Sequence, residues 1–174
     1  TAENNDIMMI GKAYYQMKDY NQADASFMKV SQKDPNNIES YIWQANAASG
    51  KDPDMKDTVA KYKYELIIQK AQSDTAKYSN DLVTANTYLF FYNFKNKKYN
   101  NAIQYAQRLV SLSSSKKDKV NWMTKIGEIY VANNDYNKVK QSYSKLLEFD
   151  PENSSFYNGR IEWANKGLES QKKK

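Results

Sequence analysis

Apolar residues recur along this chain every three or four positions, the spacing that lines one face of a helix. The first stripe runs Ile7, Ile10, Tyr14, Met17 and the next runs Ala23, Phe27, Val30. Between them lies KDYN at 18–21, whose Asp and Asn side chains offer the backbone bonds that end helices. KDPNN at 33–37 closes the second stripe, because proline cannot continue a helix and the Asn residues suit a cap. The pattern predicts a helix, a tight turn and a second helix.

The same pattern returns. Gly11, Tyr14, Ala23, Phe27, Val30 and Pro35 match Gly127, Tyr130, Val139, Tyr143, Leu146 and Pro151 at one constant shift, 127 − 11 = 116 residues. A weaker copy starts at Phe90 and continues through Asn93, Ala102, Ala106, Leu109 and Ser114. A fourth starts at Ala45 and Ala48 and resumes at Ala60, Tyr64 and Ile67 after a longer turn, GKDPDMKD at 50–57. Ala60 and Ala102 are 42 residues apart, more than one repeat requires; Tyr78, Leu82, Ala85 and Leu89 keep helical spacing there, which predicts longer helices rather than a polar loop.

Small residues at Gly11 and Ala23 let the two helices of a hairpin approach, with Tyr14 and Phe27 filling the space beside the contact. Neither helix alone hides its stripe, so neighbouring hairpins must stack. The final segment, SSFYNGRIEWANKGLES at 154–170, reads as the first helix of a fifth unit without its partner. Its Phe156, Tyr157, Ile161, Trp163 and Leu168 suit a cap over the exposed core; a docking helix is the alternative.

IMMIGKAYYQMKDYNQADASFMKVSQKDPNN (7–37) and WMTKIGEIYVANNDYNKVKQSYSKLLEFDPENS (122–154) resemble the tetratricopeptide repeat, a helix–turn–helix unit of about 34 residues. YIWQANAASGKDPDMKDTVAKYKYE (41–65) and AKYSNDLVTANTYLFFYNFKNKKY (76–99) resemble a variant of it found in Bacteroidetes envelope proteins. The resemblance implies an all-α superhelix, or α-solenoid, occupying 1–174 as a single domain. Its repeats are expected at about 4–37, 38–73, 75–115 and 117–152, with a capping helix at 153–169 and a frayed tail at 170–174. It implies a non-catalytic scaffold that takes a protein or peptide partner in a concave, aromatic-lined groove built from the first helices. Carried onto this sequence, the groove residues are Met8, Lys12, Tyr15, Trp43, Asn46, Tyr88, Phe91, Lys95, Lys125 and Glu128. The alternative is an accessory glycan-capture or outer-membrane assembly module of a larger envelope protein. The resemblance to envelope proteins implies the periplasm or cell envelope of a Gram-negative bacterium. The opening, TAENNDIMMI, has neither an initiating Met nor a signal pattern and reads as a mature or excised piece. Members that hold a peptide's C-terminal carboxylate do so with Lys, Asn and Arg; the corresponding positions here are Met8, Trp43, Thr84 and Tyr88, with Lys12 in an Asn slot. Such tails are not expected to bind.

Composition narrows the chemistry. The chain has no Cys and no His, which excludes disulfides, thiol catalysis and the common zinc sites and removes the usual general base near neutral pH. No paired carboxylates and no glycine-rich loop stand at catalytic or phosphate-binding spacing, so neither an enzyme nor a cofactor is expected. Asp52, Asp54 and Asp57 cluster in the long turn. A calcium loop would need a central Gly and a closing Glu, which are missing, and a turn with an N-cap is the simpler reading. The net charge is +6, carried almost wholly by Lys, with Arg only at 108 and 160. That balance lacks the bidentate cations of a nucleic-acid surface. No run of about 20 apolar residues is present, so no membrane span is expected.

Overall fold

A computed structural model describes residues 2–172. Among them the helices are α1 (Ala2–Gln16), α2 (Tyr20–Lys33), α3 (Ile38–Lys51), α4 (Val59–Ala71), α5 (Ser79–Lys95), α6 (Tyr99–Leu112), α7 (Lys116–Ala132), α8 (Tyr136–Phe149) and α9 (Ser154–Lys172). A 3-10 turn at Pro151–Asn153 precedes α9. The fold is an all-α helical repeat. The chain divides into two compact units, Thr1–Lys98 and Tyr99–Lys174. In the first, α1 to α5 pack each on the next; in the second, α6 to α9 do the same.

The same short turn follows α1, α5 and α7. Lys18, Lys97 and Asn134 adopt left-handed backbone, with φ of 61°, 57° and 53°. Behind each, two amides reach back onto the end of the first helix: Lys18 N to Tyr15 O and Asp19 N to Tyr14 O, and likewise at 97–98 and 134–135. This double closure satisfies carbonyls that the helix end would otherwise orphan. The next residue then starts the second helix. Asp19 accepts from Gln22 N and Asp135 from Lys138 N, at the same backbone angles, φ −81° and ψ 73°. Asn37 and Ser115 cap α3 and α7 in the same way. In the longer turn Asp52 accepts from Asp57 N, Asp57 accepts from Val59 N and Asp54 pairs with Lys56. The three carboxylates serve the turn.

Glycines mark where a ring lies flat on a helix. A Cβ at Gly11 would stand 2.5 Å from Phe27 Cε1, and one at Gly127 would stand 2.8 Å from Tyr143 Cε2. So these large rings sit directly over the small residue, not beside it. A second pair joins successive hairpins: Tyr20 lies on Gly50 and Tyr136 lies on Gly167. Both tyrosines open the second helix after the repeated turn.

The cores follow from these contacts. Met8, Ala23, Phe27, Val30 and Ala47 form one; Val139, Tyr143, Leu146, Tyr157 and Ala164 form another. Gln44 occupies a slot that is apolar elsewhere in the pattern, and polar partners meet it there. Its amide donates to Ser31 Oγ (3.0 Å) and accepts from Lys63 Nζ (3.2 Å), which also holds Asp24 at 2.9 Å. Buried polar groups must be paired, and these are.

Two expectations change. The extra residues near 72–84 divide between a longer α5 of 17 residues and a polar turn over 72–78, with Tyr78 as the N-cap of α5 and outside the helix. Asp74 drives the break by accepting from Lys77 N. At the C-terminus α9 continues through 170–172, past the expected end at 169; residues 173 and 174 of the tail lie outside the described residues.

Candidate partner-binding site

The first helices of unit 1 carry a compact set of polar and aromatic side chains. Lys12 on α1 pairs with Glu39 on α3 at 2.7 Å and stands 5.3 Å from the centre of the Trp43 ring. The Trp43 indole N–H points at the same Glu39 oxygen, 3.4 Å away. Beneath, Trp43 stacks on Phe27 at 5.6 Å and meets the edge of Tyr15 at 5.3 Å, and Tyr15 meets Tyr20 at 5.4 Å. Trp43 therefore has one side in the core and one side near charge, and Tyr15 is likewise half-buried. Asp81, in the first turn of α5, has its carboxyl pushed up by burial first and by Glu39 second. Glu39 and Asp81 are members of this face that periodicity does not single out.

Further along, Asn46 accepts from the Tyr64 hydroxyl at 2.9 Å, and Tyr64 stacks on Tyr88 with ring centres 4.2 Å apart. Burial pushes the Tyr64 hydroxyl well above the ordinary range. Tyr88 is pushed up to about 12, by burial foremost and then by Asp52 and Asp57. Its hydroxyl is buried without a hydrogen-bond partner. Lys95 lies 3.8 Å from Asp54, across from the long turn.

Of the residues expected to line a groove, Lys12, Tyr15 and Trp43 come together on α1 and α3, while Asn46 turns to Tyr64 of α4. Met8 and Tyr88 do not belong to an open face. Met8 is 6% exposed among Ala23, Phe27 and Val30, and Tyr88 is 7% exposed against Tyr64 and Tyr92. Both lie on a helix flank as apolar as the one facing the core, so the pattern alone could not separate them. Phe91 is 40% exposed and meets the edge of Phe90 at 5.1 Å. In unit 2, Lys125 stands 5.9 Å from the Trp122 ring centre, and Glu128 is exposed on α7.

The sequence profile of the tetratricopeptide repeat matches residues 7–37 and 123–153. These are the first hairpin and the α7–α8 hairpin, the two that share all six slots. The chain is a tetratricopeptide-repeat protein. A crystal structure of the C-terminal part of a tetratricopeptide repeat-containing protein from Cytophaga hutchinsonii is 34% identical, with a TM-score of 0.63 over 68% of this chain. The present chain spans 46% of that structure's length. Two crystal structures of MamA, 20% and 19% identical, have TM-scores of 0.57 and 0.55 over 98% and 94% of this chain and 92% and 95% of theirs, and share its fold. No curated protein resembles the chain closely enough in sequence to count as a relative. Tetratricopeptide repeats mediate protein–protein interaction and typically act as non-catalytic scaffolds. Among the described residues, no helix is long and apolar enough to cross a membrane.

Proposed function

We propose that this tetratricopeptide-repeat protein is an interaction scaffold that binds a peptide segment of a partner protein across α1 and α3. The observation that carries the reading is the Lys12–Glu39–Trp43 set, in which a half-exposed indole on a rigid core is flanked by both charge signs. A large aromatic anchored from behind loses little freedom when a partner covers it, and such residues dominate binding energy at interfaces. The adjoining Lys12 and Glu39 supply orientation, since charge complementarity fixes register more than affinity.

The test is a selection of displayed random peptides on the whole chain, followed by calorimetry with the selected sequences. Lys12→Glu, at a partly exposed position, is expected to weaken binding about tenfold, a change of roughly 1.4 kcal/mol. Trp43→Phe keeps the ring on Phe27 and is expected to weaken it several-fold. Met28→Ala, an exposed position on α2, serves as the control and is expected to change nothing. Peptides whose affinity ignores both Lys12 and Trp43 would overturn the assignment.

A further inference from the structure

α9 is more than a lid. The two glycines that receive the turn tyrosines fix how α9 corresponds to α3: Gly167 answers Gly50, so the shift is 167 − 50 = 117. That shift places Ala164 on Ala47, and both are fully buried. It places Glu162 and Asn165 where α3, which packs on α4, carries the buried Ala45 and Ala48. The side of α9 that would need a partner helix is therefore polar, as a cap requires. The same shift places Phe156, Arg160 and Trp163 on Glu39, Trp43 and Asn46. Glu39 and Trp43 are face positions of α3 in the site described above.

What α9 presents there is unusual for this chain. Arg160 is one of two arginines among 26 basic residues. Its guanidinium lies 5.3 Å from the Phe156 ring centre. None of the ion pairs among the described residues includes it, and its Nε is buried without a hydrogen-bond partner. Beside it stands the buried hydroxyl of Tyr143, a side chain with no exposure at all, which lies within reach of the guanidinium. That hydroxyl is pushed up by burial first, with Arg160 pulling it down and Glu128 of α7 pushing it up. A Cβ at Gly159 would meet nothing within 4 Å, so the surface next to Arg160 is open. Phe156 and Trp163 flank it, 46% and 37% exposed.

We infer that Arg160, framed by Phe156 and Trp163, is a carboxylate-reading site for an aspartate or glutamate side chain of a partner segment, with an adjoining apolar residue seated over Gly159. A planar guanidinium matches a carboxylate with two parallel hydrogen bonds, which a lysine cannot do. The guanidinium makes no ion pair among the described residues, and its one hydrogen bond to a side chain, with the neutral Tyr143 hydroxyl, steadies it from behind, so an arriving carboxylate supplies the charged acceptor it lacks. Glu128, which makes no ion pair among the described residues, reaches the same hydroxyl's field and opposes the incoming charge. This site stands independently of the face on α1 and α3.

The chain's two arginine Nε–H and three indole N–H resonances report on it directly by NMR. The whole chain is titrated with a capped hexapeptide carrying one Glu between two Phe, its Gln counterpart, the Gln peptide with a free C-terminus, and inorganic phosphate. The Glu peptide is expected to shift Arg160 and Trp163 saturably, and Gln to weaken it about tenfold or more. Arg160→Gln should abolish the shift, Arg160→Lys should weaken it several-fold with the thermal transition unchanged, and Glu128→Gln should strengthen it. Equal binding of the Gln peptide, or a shift surviving Arg160→Gln, would overturn the site. Equal or tighter binding of the free C-terminus or of phosphate would overturn the choice of a side-chain carboxylate.

Discussion

Replacing Gly11 by alanine tests the packing argument most directly. Alanine is the better helix former by about 1 kcal/mol, so an isolated helix would gain from the change. Here the new methyl would stand 2.5 Å from Phe27 Cε1 and 2.9 Å from both Cδ1 and Cζ. Carbon atoms prefer about 3.5–4 Å. The ring has no room to retreat, because Phe27 is fully buried and stacks on Trp43 at 5.6 Å. Overpacking of this kind costs about 1–3 kcal/mol. A contact this short takes the upper part of that range, about 2–3 kcal/mol, so after the propensity gain of about 1 kcal/mol the net expectation is a loss of roughly 1–2 kcal/mol, which in a unit of this size lowers Tm by roughly 5–15 °C. Gly159→Ala is the matched control: that position is also mid-helix, but nothing lies within 4 Å of its new methyl. It should gain about 0.5–1 kcal/mol. Calorimetry on both variants decides the matter, and Gly11→Ala combined with Phe27→Leu should recover part of the loss. If the two glycine variants move Tm in the same direction, the claim that Phe27 occupies the Gly11 methyl position is wrong.

Lys18 holds left-handed backbone at φ 61°, so Lys18→Gly should stabilise by about 1 kcal/mol, seen as a higher urea midpoint at constant slope. Asp150 accepts from Asn153 and Tyr157 at 2.7 Å each and pairs with Lys116, and those bonds, Asn153 first, hold its carboxyl below the ordinary range. Its stabilisation is present above about pH 4 and is lost as pH falls through the lower folded value, so Asp150→Ala should cost stability at pH 7 and progressively less in acid when urea midpoints are compared. Tyr64 and Tyr88 have hydroxyls raised by burial, Tyr88 to about 12. Their contribution is intact below about pH 10 and declines as pH rises towards the folded values; an ultraviolet titration should show them ionising last and together with unfolding, and early reversible ionisation of all tyrosines would contradict their burial.

The hairpins were legible because their grammar is local. Asp19 and Asp135 cap the second helices, Pro35 and Pro151 follow them, and Gly11 and Gly127 mark the close crossings, all within one repeat of sequence. The faces were less legible. Met8 and Lys12 lie one turn apart on α1, yet one is buried and the other pairs with Glu39. What separates them is where α3 stands, and that is set by residues a whole repeat away. Gln44 shows the same limit: a polar residue in an apolar slot makes sense only once Ser31, Lys63 and Asp24 are seen around it.

The recurring tyrosine of the turns bridges these two levels. Tyr20 and Tyr136 follow left-handed residues that only their own turns dictate, yet their rings rest on Gly50 and Gly167 of the following helix. Each local turn thereby sets the rotation of the next first helix, because a ring on a glycine leaves that helix little freedom to turn about its axis. The rotation decides which side chains face a partner. In α3 it exposes Lys12's neighbours, Glu39 and Trp43; in α9 it exposes Phe156, Arg160 and Trp163 at the same three-residue and four-residue steps. A motif that only joins two helices thus also sets which side chains of the next helix reach the surface, and its rings pack against both faces, Tyr20 on Tyr15 and Tyr136 on Trp163.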